Sequence, residues 1–174
     1  YELKDYKGAI EDFNKAIELN PEYVNAYINR GLSKYYLDDD EKRAIADSNK
    51  AIELDPEEAG GYYVRGLVKR YYLNDYNEAI EDFNKAIELD PEYVKAYNNR
   101  GLAKYYLDDE KGAIADYTKA IELDPEYVTA YNNRGNAKRY LKDYKGAIED
   151  YTKAIELDPE YVTAYNNRGN AKRY

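Results

Sequence analysis

Cysteine, histidine, methionine and tryptophan are all missing from the 174 residues. The first two absences remove thiol nucleophiles, disulfides, imidazole bases and the usual zinc and iron ligands. Basic residues are outnumbered, 26 against 35 acidic ones, and the net charge of -9 makes a phosphate-binding surface, and so a nucleic-acid partner, unexpected. No run approaches the roughly 18 apolar residues of a membrane-spanning helix, so no membrane insertion is expected. The acidic runs Asp38 to Glu41 and Asp108 to Glu110 lack the spacing and the glycine of a calcium loop and read as helix caps. No metal or cofactor is expected. No constellation of nucleophile, base and oxyanion donors can be assembled, so an enzyme is not expected either.

Tyrosine is what the chain does have: 24 of them against two phenylalanines. The core must therefore be built from Tyr, Ala, Ile, Leu and Val. These residues recur in register. Pro21, Pro56, Pro91, Pro125 and Pro159 are separated by 35, 35, 34 and 34 residues, a glycine (Gly31, Gly66, Gly101, Gly135, Gly169) follows each by ten, and an alanine precedes each by five. The segment PEYVTAYNNRGNAKRY is written twice, at 125–140 and 159–174. A period of this length marks a repeat architecture in which each unit leans on its neighbours.

Each unit reads as two helices. The first is expected from roughly Glu126 to Tyr140, with Pro125 at its start and Asp124 as its cap. After the turn Leu141-Lys142-Asp143, the second is expected from about Tyr144 to Leu157, because Ala147, Ile148, Tyr151, Ala154 and Ile155 form an apolar stripe of helical period. The fold expected from this pattern is all-α.

At these columns the chain resembles the tetratricopeptide repeat family. Tyr131, Gly135, Tyr144, Ala147, Tyr151, Ala154 and Pro159 stand where that pattern asks for an aromatic, a small residue, an aromatic, Ala, an aromatic, Ala and Pro. The resemblance implies an α-solenoid of tandem helical hairpins forming a right-handed superhelix, with the first helices lining a concave face. The units are expected at 21–55, 56–90, 91–124 and 125–158, with residues 1–20 as a half repeat (a second helix) and 159–174 as another (a first helix). Departures are local. Glu41 and Glu110 replace the opening tyrosine, Ser48 replaces the aromatic, and the third unit carries its extra residue within Gly66 to Leu73.

Two polar columns recur. Arg30, Arg65, Arg100, Arg134 and Arg168 precede the glycines, and Asp12, Asp47, Asp82, Asp116 and Asp150 recur on the second helices. They are expected to form a structural ion-pair ladder. The alternative, an arginine row for an acidic peptide, suits residues beside a buried glycine less well. Asn98, Asn99, Asn132, Asn133, Asn136, Asn166, Asn167 and Asn170 fall on the face that the resemblance makes concave. Their amides can both donate to and accept from an extended peptide backbone; the plain alternative is a solvated polar face. Chaperone-binding members of the family clamp a terminal carboxylate with lysines, and the matching places here hold mostly Asn, Thr and Tyr.

The expected function is therefore a non-enzymatic scaffold for a protein or peptide partner. The alternative is a structural self-assembling protein: the half repeats at Tyr1 and Tyr174 would join end to end with other copies and build a filament.

Overall fold

The computed structural model describes residues 5–37 and 41–174. The expected acidic turn at Asp38 to Asp40 and the expected role of Tyr1 lie outside the described residues. Among the described residues the elements are α1 (Tyr6–Leu19), α2 (Val24–Leu37), α3 (Glu41–Leu54), α4 (Ala59–Val68), a π-helical turn (Lys69–Leu73), α5 (Tyr76–Leu89), α6 (Val94–Tyr106), α7 (Glu110–Leu123), α8 (Val128–Tyr140), α9 (Tyr144–Leu157) and α10 (Val162–Ala171). No strand occurs among them. The chain divides into two compact units, 1–91 and 92–174. In the first, each of α1 to α5 packs on the next; in the second, α6 to α10 do the same, and α8 also touches α6 and α10.

Helices α1, α5, α7 and α9 each open on an aspartate. Asp5, Asp75, Asp109 and Asp143 accept at 2.8–3.1 Å from the N–H three residues on, satisfying a donor that the helix leaves orphaned. The residue just before this cap closes the first helix in the left-handed region: Asn74 at φ 52°, Asp108 at 58° and Lys142 at 63°. The other junction differs from expectation. Helix α8 begins at Val128, not near Glu126, and its N-cap Tyr127 makes no side-chain bond. Asp124 instead accepts from Glu126 N–H at 3.0 Å, a local turn that competes with helix formation. Tyr131 Oη then donates to the carbonyl of Pro125 at 3.2 Å, pinning the turn to the helix it precedes.

Packing rests on alanine columns and, in the α4–α5, α6–α7 and α8–α9 hairpins, one large ring each. Ala96, Ala113, Ala130, Ala147, Ala154 and Ala164 are fully buried, as are Phe83, Tyr117 and Tyr151. The rings explain the glycines opposite them. A Cβ on Gly66, Gly101 or Gly135 would lie 2.8, 2.9 or 2.6 Å from Phe83, Tyr117 or Tyr151, so helix and ring meet at a distance no other residue permits. Where Ser48 replaces the ring, a Cβ on Gly31 would meet nothing closer than 3.3 Å, and Val64 takes up part of the space. The extra residue between Gly66 and Leu73 is absorbed by the π-helical turn, which closes through Asp75 N–H to Lys69 O at 3.0 Å.

Candidate functional site

The polar columns converge on the aspartates of the second helices. Arg30 Nε and Nη2 reach Asp47 at 2.9 and 2.5 Å; Arg65 binds Asp82, Arg100 binds Asp116 and Arg134 binds Asp150 in the same fork. A second cation that the pattern of arginines alone did not suggest completes each rung. Lys34, Lys69, Lys104 and Lys138, four residues after the arginine, lie 2.6–2.9 Å from the same carboxylates. The recurrent Arg-Gly-x-x-Lys spacing, one helical turn, was the available signal. Each of these four aspartates is only 4% exposed, so the pairs sit where a lone charge would be costly.

Each arginine also stacks. Its guanidinium lies 5.3–5.7 Å from the ring three residues earlier, over Tyr27, Tyr62, Tyr97, Tyr131 and Tyr165. Several reach back to the preceding second helix, Arg30 to Asn14 at 2.7 Å, Arg65 to Asn49 at 2.9 Å and Arg134 to Thr118 at 3.1 Å. One side chain thus ties three helices together. The bond to aspartate raises Arg30 and Arg65 above the ordinary arginine value against the opposing effect of burial. For Lys69 burial is the largest influence and lowers it, yet bonds to Asp82 and Glu78 leave it raised. The two remaining members stand apart: Asp12 is exposed on α1, and Arg168 donates to Thr152 Oγ1 at 3.2 Å.

The asparagine column splits. Asn98, Asn99 and Asn132 are buried, which departs from their expected place on an open face. Asn133 Nδ2 donates to Asn98 Oδ1 at 3.1 Å and Asn167 Nδ2 to Asn132 Oδ1 at 3.0 Å, while Asn99 Nδ2 turns back to the Lys95 carbonyl at 2.8 Å. The physical reason is the close approach of successive first helices, which places Asn98 and Asn132 in the crevice, where each accepts from an asparagine of the next first helix. What stays open is a shorter row: Asn166 and Asn170 are exposed, and Asn133, Asn136 and Asn167 are half-buried. Asn136 Oδ1 accepts from Tyr151 Oη at 2.8 Å and from Asn167 Nδ2 at 3.2 Å. The buried ring of Tyr151 is thereby linked to the open row.

Other features escaped the sequence pattern. Glu110, which replaces an opening tyrosine, is buried with Oε1 unpartnered, and Nε of Arg70 and of Arg139 is buried and unpartnered too. Burial raises Tyr35, Tyr105 and Tyr151, while Arg70 lowers Tyr35 and Arg139 lowers the other two. Tyr35, Tyr36, Tyr71 and Tyr72 line an open cavity of about 230 Å³. Among the described residues no cluster of acidic side chains could hold a metal ion, and no helix is long and apolar enough to cross a membrane.

A family model described as a tetratricopeptide repeat matches residues 94–127 and 128–161, and one described as a TPR repeat matches 1–38 and 69–108. The chain belongs to the tetratricopeptide repeat family. Its fold is accordingly an all-α tetratricopeptide-repeat solenoid, a scaffold architecture. Among solved structures, MamA is 26% identical, with 90% of each chain covered and a TM-score of 0.75. The first TPR of Spaghetti (RPAP3), bound to the HSP90 peptide SRMEEVD, is 28% identical over 68% of this chain and 94% of that one, with a TM-score of 0.65. TTC0263, a thermophilic TPR protein of Thermus thermophilus, shares the fold at 19% identity, 100% and 94% coverage and a TM-score of 0.82. None of the curated proteins matches this tetratricopeptide repeat chain.

Proposed function

We propose that the protein is a non-enzymatic scaffold that takes up an extended peptide or protein segment on the first-helix face of residues 92–174. The observation that carries this reading is the open amide row of Asn133, Asn136, Asn166, Asn167 and Asn170 on α8 and α10. Its half-buried members, Asn133, Asn136 and Asn167, are already hydrogen-bonded to one another or to the buried Asn98 and Asn132, so the row is held in place rather than free to collapse. The first TPR of Spaghetti is bound to an HSP90 peptide, which supports a peptide partner here. Asn166 and Asn170, one turn apart and both exposed, are the amides most accessible to a backbone.

Selection from a displayed library of random peptides tests it. Enriched peptides should lose about tenfold in affinity when Asn166→Ala and Asn170→Ala are combined, as expected for two modest hydrogen bonds. No enrichment over a bare carrier, or binding indifferent to both changes, would sink the proposal.

The second reading is self-assembly of copies through the exposed Asp12 on α1 and the Arg168 side chain on α10. Electron microscopy across a dilution series decides, because rods that lengthen with concentration establish assembly and discrete particles rule it out.

A further inference from the structure

The side chains that ordinarily compete with tyrosine for one-electron oxidation are Cys, Met, Trp and His, and the chain contains none of them. An oxidising equivalent reaching this protein therefore settles on one of its 24 tyrosines. The product depends on how the rings are paired. Coupling of two phenoxyl radicals requires overlap of π orbitals that stand perpendicular to each ring, so parallel stacked rings are disposed to react and edge-on rings are not.

Such stacking occurs where the tyrosine opening a second helix meets the next first helix. Tyr6, which opens α1, stacks on Tyr36 of α2 with centroids 5.3 Å apart and planes within 19°. Tyr144, which opens α9, stacks on Tyr174 beyond α10 at 5.0 Å and 12°. The pairs are equivalent in the repeat, joining the tyrosine that opens a second helix to the one five residues after the glycine of the next first helix. One ring of each is accessible to an oxidant: Tyr36 is 50% exposed and Tyr174 84%. By contrast, Tyr35 meets Tyr36, Tyr71 and Tyr72 at 65°, 75° and 84°. Where Glu110 replaces the opening tyrosine, Tyr140 instead meets Tyr105 edge-on at 77°.

We propose that Tyr6 with Tyr36, and Tyr144 with Tyr174, are sites of dityrosine cross-linking by a peroxidase-type one-electron oxidant that consumes hydrogen peroxide. Each phenol gives up one electron and its O–H proton. The two radicals join through a new Cε–Cε bond, and each ring regains aromaticity by passing the hydrogen on that carbon to its own oxygen. Peroxide accepts the two electrons and two protons and leaves as two waters. Each bond closes a loop between residues 30 apart and ties a second helix to the following first helix. In a repeat protein that interface is the unit of stability, and a cross-link there also restricts the unfolded chain.

The test is to treat the dilute protein with a haem peroxidase and hydrogen peroxide, isolate the monomer, and map dityrosine by fluorescence and peptide mass. The expected result is a monomer lighter by two hydrogens per bond, cross-linked peptides 6–36 and 144–174, and a higher melting temperature. Tyr174→Phe should abolish the second peptide and spare the first, and Tyr36→Phe should do the reverse. Tyr23→Phe, at an exposed ring outside both pairs, should change neither. Circular dichroism verifies that each variant is folded. Coupling only between molecules, or bonds scattered over the exposed tyrosines and indifferent to these substitutions, would overturn the proposal.

Discussion

Arg134 grips Asp150 with two prongs, Nε 3.0 Å from Oδ2 and Nη2 2.7 Å from Oδ1. Lys138 approaches the same carboxylate at 2.8 Å. Three charges thus share one crevice between α8 and α9, and the arginine adds Tyr131 and Thr118 to its contacts.

Breaking this rung should be costly. Arg134→Met leaves a buried carboxylate with one cation, and about 3 kcal/mol of stability should disappear, the low end of what removing one partner of a buried pair costs. Urea denaturation measures it. A double-mutant cycle with Asp150→Asn should show coupling above about 1 kcal/mol; independent effects would mean that the arginine acts through packing alone.

The glycines should not respond alike. Gly135→Ala drives a methyl to 2.6 Å from the Tyr151 ring, and the overpacking cost of about 1–3 kcal/mol should exceed the gain in helix propensity. At Gly169 nothing lies within 4 Å, so Ala there should stabilise by about 0.5–1 kcal/mol. Equal responses at the two sites, read by thermal melting, would contradict the close approach.

Asp143 caps α9 through Gly146 N–H at 3.0 Å. Asp143→Ala should cost about 1 kcal/mol and Asp143→Ser or Asn much less. Amide exchange in the first turn of α9 would report the loss locally.

Alkali should unfold the protein through its tyrosines. Burial raises Tyr35, Tyr105 and Tyr151 above the ordinary value of 10.0. A raised folded-state value means that the folded form holds the proton more tightly. Stability from these groups is therefore complete below pH 10.0 and declines as the pH rises through their folded values. Tyrosinate absorbance and helical ellipticity should change together above that pH. Tyrosine ionisation completed at the ordinary value, with helicity unchanged, would refute the burial.

Much of this was legible in one dimension. The proline, glycine and alanine columns recur because one hairpin is used again and again. The extra residue near Gly66 could be located from spacing, and it emerges as a π-helical turn. The start of α8 was displaced because Asp124 serves a local turn, a choice that propensity alone does not make.

By itself, then, the sequence determined the helical period, the repeat and the side chains available for core and ladder, since these derive from spacing along a helix. Only the tertiary structure decided that Asn98 and Asn132 are consumed inside the stack while Asn166 and Asn170 face outward, that Lys138 joins Arg134 on Asp150, and that Tyr144 lies flat on Tyr174. Burial, pairing and ring orientation depend on what neighbouring helices bring to the same point, and residues with the same place in a repeat do not have the same neighbours.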